Sequence, residues 1–167
     1  LKQYYGKYNA ALKCYTYHAK DDQGDFCMKV VAQKQIPNAS GNLLYVVTSG
    51  VTYDPKTNVS SPVHVEAGNN GIFIFQEQNN QYKLLAFDKD LSLSSMGEGA
   101  NKWTFHQFAP NVWGAMTETG DGHSGVGGSR FIILTPQNNK IITSWIGNSF
   151  FDTATGLKDC EKHPTQC

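Results

Sequence analysis

Asn79 and Asn80 sit between two strand-like runs, GIFIFQEQ (71–78) and QYKLLAFD (81–88). No other feature constrains the fold of this chain as tightly. A two-residue hairpin turn that follows the twist of its strands needs positive φ at its centre, and asparagine tolerates that region where most side chains resist it. The same grammar recurs. MKVVAQKQI (28–36) and NLLYVVTSG (42–50) flank the polar turn PNASG; KWTFHQF (102–108) and VWGAMTE (112–118) flank Ala-Pro-Asn; RFIILT (130–135) and KIITSWI (140–146) flank Pro-Gln-Asn-Asn. Four hairpins predict about eight strands, and therefore an all-β, antiparallel sandwich or barrel.

IFIF (72–75) and FIIL (131–134) are apolar on consecutive positions, whereas a strand with one wet face alternates. Both faces of those strands are therefore expected to be covered. One short helix is expected near the N-terminus, around Tyr4 to Leu12, and NSFFDTATGLKD (148–159) reads as an edge strand and turn. The 167 residues form one domain, 1–167, long enough to bury roughly 70% of the surface of the unfolded chain.

The four cysteines, Cys14, Cys27, Cys160 and Cys167, fall near the two ends. An even number with no Cys-x-x-Cys pair reads as two disulfides rather than a zinc site, which places the chain in a secreted or periplasmic setting. Three pairings are open. Cys14–Cys27 and Cys160–Cys167 are favoured because each closes a short polar loop, tying down segments 1–27 and 156–167. A start at Leu1 without Met reads as a mature or trimmed chain.

Charge excludes one class of partner. Lys plus Arg and Asp plus Glu both number 14, so there is no basic excess to neutralise phosphates, and no nucleic-acid partner is expected. No apolar run reaches the 18 or so residues that a membrane-spanning helix needs. No cofactor motif stands out, and none is expected.

The candidate site is TGDGHSGVGGSR (119–130), with five glycines in twelve positions between two strands. Read as a loop, it leaves backbone N–H groups free to approach another surface and to form a concavity that favours anions. Arg130 adds a planar fork suited to a carboxylate. Asp121, His123, Ser124, Gly125, Gly127, Ser129 and Arg130 are the candidate partner-binding residues. The alternative is a plain connection between two strands.

Asp121, His123 and Ser124 lie within four positions, too close in sequence for triad geometry, and GHSGV has Val126 where the nucleophile elbow needs Gly. His106, Glu118, Asp121 and His123 match no metal template; no metal site and no catalytic residue are assigned. DKDLS (88–92) begins like a calcium loop but has Leu93 and Gly99 where Gly and Glu belong. Glu66, Glu77, Glu98 and Glu118 are carboxylates of unknown separation, too weak a signal for glycoside chemistry. Trp103, Trp113 and Trp145, with Phe105 and Phe108, suit either a core or sugar-stacking platforms, and Tyr4, Tyr5, Tyr8, Tyr15 and Tyr17 suit a contact surface. Asn38 and Asn58 head Asn-x-Ser sequons.

SGVGGSR (124–130) resembles the Ser-Gly-rich loops with which periplasmic lysozyme inhibitors, themselves β-barrel proteins, enter a catalytic cleft. There a Ser-Gly-x-Gly segment is followed by a basic residue; here Gly128 and Ser129 precede the basic Arg130, and the likeness spans seven residues. It implies that Ser124 and Arg130 meet an enzyme's carboxylates. The sequence thus leads to an extracytoplasmic binding module that engages a protein partner through 119–130 and inhibits a cell-envelope hydrolase. The alternatives are a glycan-binding or adhesive domain using exposed aromatics, and a hydrolase using Asp121, His123 or Glu118.

Overall fold

The computed structural model describes residues 1–20, 24–60, 62, 67–94, 97–123 and 126–152. These form one helix, α1 (Lys2–Tyr5), and the strands β1 (Tyr8–Asn9), β2 (Cys14–His18), β3 (Asp25–Ile36), β4 (Leu43–Asp54), β5 (Val59–Ser60), β6 (Asn69–Gln78), β7 (Gln81–Ser92), β8 (Thr104–Ala109), β9 (Val112–His123), β10 (Val126–Gln137) and β11 (Lys140–Asp152). The first sheet runs β1-β2-β3-β4-β6-β7, with β5 on β4; the second runs β11-β10-β9-β8. The fold is all-β, and its pairs are antiparallel.

The asparagine turns behave as the sequence implies. Asn79 and Asn80 have φ of 52° and 59°, and Asn138 and Asn139 have 50° and 62°, so each pair makes a two-residue hairpin of the primed type. Asn111, at φ 60°, closes the β8–β9 hairpin.

Two layers emerge because β6 is apolar on both faces. Ile72 and Ile74 face the second sheet, packing with Tyr45, Val47, Leu91, Ala115, Ile132 and Leu134 in one core. Phe73 faces the opposite way, into a second core with Tyr5, Tyr17, Phe26, Met28 and Val46, while Phe75 packs against its edge. IFIF is therefore covered on both sides, as read. FIIL is not: Ile132 and Leu134 are buried, but Phe131 and Ile133 are only half-buried on the outer side of the second sheet. Nothing in the described chain lies over that side as the N-terminal segment lies over the first sheet.

The N-terminal segment covers the first sheet and corrects two expectations, the length of the helix and the place of the tyrosines. The helix stops at Tyr5 rather than running to Leu12, because Gly6 takes φ 93° at its end and the chain turns into β1. Strands β1, β2 and β5 raise the count above eight. The tyrosine cluster is mainly core, not a contact surface. Tyr5 and Tyr17 are buried, Tyr4 and Tyr15 half-buried, and Tyr8 alone of the five is exposed. The two buried phenols are satisfied inside: Tyr5 shares a 2.6 Å hydrogen bond with Thr48 Oγ1 and Tyr17 donates to Asp90 Oδ1 at 2.5 Å; Lys89 Nζ also donates to the Tyr4 backbone carbonyl. The Cys14–Cys27 disulfide ties this cover to β3. Cys160 and Cys167 lie outside the described residues, as does the turn expected near 153–159.

Candidate functional site

The glycine-rich stretch is a hairpin end rather than an open loop. Strand β9 continues to His123 and β10 begins at Val126, with Val126 opposite His123, Gly127 opposite Gly122, Gly128 opposite Asp121 and Arg130 opposite Thr119. On its other side β10 pairs with β11, from Val126 opposite Asp152 to Arg130 opposite Gly147. The N–H groups of 126–130 are thus flanked by ladders on both sides, which removes the anion-binding concavity expected of a free loop. The glycines serve close approach instead: a Cβ on Gly128 would stand 2.6 Å from the Ser149 carbonyl oxygen. Ser124 and Gly125 lie outside the described residues, and so does any role for them.

Alternation along a strand sorts the remaining candidates onto two faces. Ile132 and Leu134 point into the core, so Arg130 and Gly128 share their side, together with Thr119 and Asp121 of β9. This side opens beyond the core into a cleft of about 490 Å³ at one end of the sandwich, lined by Thr119, Asp121 and Arg130 and, across from them, by Ser92, Leu93 and Ser94. Glu118 and Ser129 lie on the outer face, where the Ser129 hydroxyl donates to Glu118 Oε1 at 2.7 Å and lies 2.8 Å from Ser149 Oγ. Arg130 and Asp121 therefore share a cleft; Ser129 also lines it, but with its hydroxyl engaged by Glu118 and Ser149.

Arg130 is exposed and ordered by an aromatic partner. Its guanidinium lies 4.0 Å from the ring centroid of Trp145, which stands on β11 and is itself 45% exposed. The β10–β11 register produces this geometry: Arg130 opposes Gly147 and lies diagonal to Trp145, which opposes Ile132, so its side chain meets Trp145 without a bulky residue opposite, while the register shift falls beyond it, between Ser129 and Arg130. Phe150, opposite Gly128, is 76% exposed beside them. The Asp121 carboxylate accepts the Gly122 N–H at 2.8 Å. Among the described residues Arg130 makes no ion pair.

The alternative chemistries find less. Glu118 and Asp121 project from opposite faces of β9, so they cannot converge on one substrate atom. His106 hydrogen-bonds Thr104 at 2.9 Å on β8, and among the described residues no three His, Cys, Asp or Glu gather to hold a metal ion. The DKDLS segment lies within β7, with Asp90 engaged by Tyr17. Trp103, Trp113 and Phe105 are half-buried against the core, while Phe108 is exposed. Trp145 is the tryptophan with an exposed ring, and a guanidinium already lies over it. Asn38 and Asn58 are both exposed. Arg130 stands out in the sequence but its stacking partner does not, because the strand register that sets Trp145 diagonal to it is a tertiary property with no local signature.

Against known proteins, no family model matches the chain, and neither a curated protein nor a solved structure matches it.

Proposed function

We propose that this is a binding module, without chemistry of its own, that engages a protein partner at the end of the β9–β10 hairpin, with Arg130 as the anchor. One observation carries the reading: an exposed guanidinium, pre-oriented by Trp145, that lines a cleft of mixed polar and apolar character. Stacking fixes the plane of the fork, so little side-chain entropy is lost when a carboxylate docks on it. Exposed apolar rings beside it, Trp145 and Phe150, supply the aromatic and arginine mixture that marks the centre of protein interfaces.

The setting is extracytoplasmic, supported by the Cys14–Cys27 disulfide, and no helix among the described residues is long and apolar enough to cross a membrane. A cell-envelope hydrolase, inhibited when Arg130 meets its carboxylates, is the partner class favoured by the likeness of 124–130 to inhibitor loops. The hairpin geometry modifies how contact is made. Arg130 lies four residues into β10 from Val126, about 13 Å along the strand, so it meets a partner along the flank of the hairpin. The test is affinity capture from envelope and secreted fractions with the intact chain and with Arg130→Ala. A partner retained by the first and lost by the second, with the far-UV spectrum unchanged, supports the reading. Equal retention contradicts it.

A further inference from the structure

The cleft holds two opposite charges that do not pair. Asp121 and Arg130 are diagonal neighbours on one side of the β9–β10 ladder, since Gly128 opposes Asp121 and Thr119 opposes Arg130. Diagonal neighbours have Cα atoms about 7–8 Å apart, within reach of an arginine. Yet the guanidinium leans away from β9, across to Trp145 on β11, and Asp121 turns to the N–H of its own neighbour Gly122. Strands lie about 4.8 Å apart, so β9 and β11 are separated by roughly 10 Å. Both charged groups are exposed and both line the same 490 Å³ cleft, with Thr119 between them on β9 and the Ser92–Ser94 segment opposite.

Resting on the reading of this cleft as the partner-binding site, we infer that it recognises a dipolar peptide: a carboxylate on Arg130 and a cation on Asp121, some 7–10 Å apart. An extended chain advances about 3.3–3.6 Å per residue, so two or three residues match that span. The volume suits such a fragment, falling within the roughly 300–1,000 Å³ of small-ligand pockets. A purely acidic segment fits less well, because a second carboxylate meets Asp121 and is repelled. Two sources carry the same chemistry. One is a short free peptide with charged ends; the other is a Glu-x-Lys pair on an extended segment of a partner's surface.

The test uses the full chain labelled with ¹⁵N and follows the Trp145 indole N–H cross-peak. Four probes are titrated: free trialanine, its N-acetyl form, its C-terminal amide, and doubly capped Glu-Ala-Lys. Saturable shifts with trialanine identify free chain ends as the source; shifts with capped Glu-Ala-Lys alone identify a partner's surface pair. In either case the singly charged forms bind at least tenfold more weakly. Asp121→Asn is expected to abolish the preference for trialanine over its N-acetyl form, or, for the capped probe, to weaken binding at least tenfold. Arg130→Gln is expected to abolish the preference over the amide, with the same loss for the capped probe. N-acetyl-trialanine binding as tightly as the dipolar probes overturns the inference, as does the absence of a saturable shift with all four. If Asp121→Asn leaves capture of a protein partner intact while Arg130→Ala removes it, the dipolar inference fails and the binding-module reading survives.

Discussion

Arg130 has two separable roles, and their magnitudes differ. Its stacking on Trp145 is an exposed cation–π contact, which stabilises the fold by about 0.5–1 kcal/mol. Its proposed pairing with a partner carboxylate is a desolvated, charge-assisted contact, whose truncation costs about 2–5 kcal/mol. Arg130→Ala is therefore expected to lower Tm by only a few degrees while reducing partner affinity by more than tenfold. Thermal unfolding and a binding titration on the same preparation check both halves; a large stability loss would mean the residue belongs to the sheet rather than to the site. Gly68 is the opposite kind of residue. A Cβ there would stand 1.8 Å from the Glu98 carbonyl carbon, and the obstacle is backbone, which cannot swing aside. Gly68→Ala is expected to destabilise by at least the 1–3 kcal/mol or so of an overpacked core, a drop of several degrees in Tm. An unchanged Tm would show that the 68–70 and 98–100 segments do not pack as described.

At the scale of elements, the N-terminal cover is the most testable part of the fold. Burial raises the Tyr5 and Tyr17 phenols above the ordinary value of about 10, and for Tyr17 the hydrogen bond to Asp90 and its negative charge add to the effect. Tyr45, in the inter-sheet core, is pushed up to about 12 by burial. A phenol whose folded value lies above its unfolded one keeps its full stabilising contribution below pH 10 and loses it as pH climbs through the folded value. The protein should therefore show no tyrosine-linked loss of stability up to about pH 10 and destabilise above it. Denaturant midpoints measured from pH 8 to 12, with Tyr5→Phe and Tyr17→Phe beside the parent, check the sign; a midpoint rising above pH 10 contradicts it. The disulfide contributes separately. Closing the 13-residue separation between Cys14 and Cys27 stabilises by about 3 kcal/mol in the chain-entropy account, so reduction should lower the unfolding free energy by that order.

The same elements show what was legible beforehand. Asn79–Asn80 and IFIF announced a hairpin and a doubly covered strand because turn conformation and face alternation are local properties. The 119–130 stretch reads as a loop in sequence, and is strand in the fold, for an equally physical reason. Glycines signal freedom in an isolated chain, but here they admit the β11 backbone against β10, a tertiary contact with no local trace. The short N-terminal helix forms but stops at Tyr5 rather than Leu12, because Gly6 and the pairing of β1 with β2 outweigh a weak helical pattern. Arg130 stands out in the sequence as a cation beside glycines; its stacking on Trp145 and its shared cleft with Asp121 depend on strand register.

Seen whole, the molecule is asymmetric. The first sheet is covered on both sides, by the second sheet and by the N-terminal segment, while the described second sheet is covered on one. Strands β4 and β6 lie at the centre of this arrangement, with Val47, Ile72, Phe73 and Ile74 fully buried, and their amides should exchange most slowly by native-state hydrogen exchange. The proposed site lies away from that rigid centre, at the end of the sandwich where β7 finishes and the β9–β10 hairpin projects. Strand β7 gives an internal control. Ser92 lines the cleft, whereas Tyr82, 48% exposed, stands ten residues back along the same strand, about 33 Å away. The most direct test of the account is to place a photo-crosslinking amino acid at Phe150 in one variant and at Tyr82 in another, and to irradiate each in the source's envelope and secreted fractions. The account predicts one discrete crosslinked protein from position 150, abolished by Arg130→Ala, and none from position 82. The same adduct from position 82, or an adduct at 150 that survives Arg130→Ala, would contradict it.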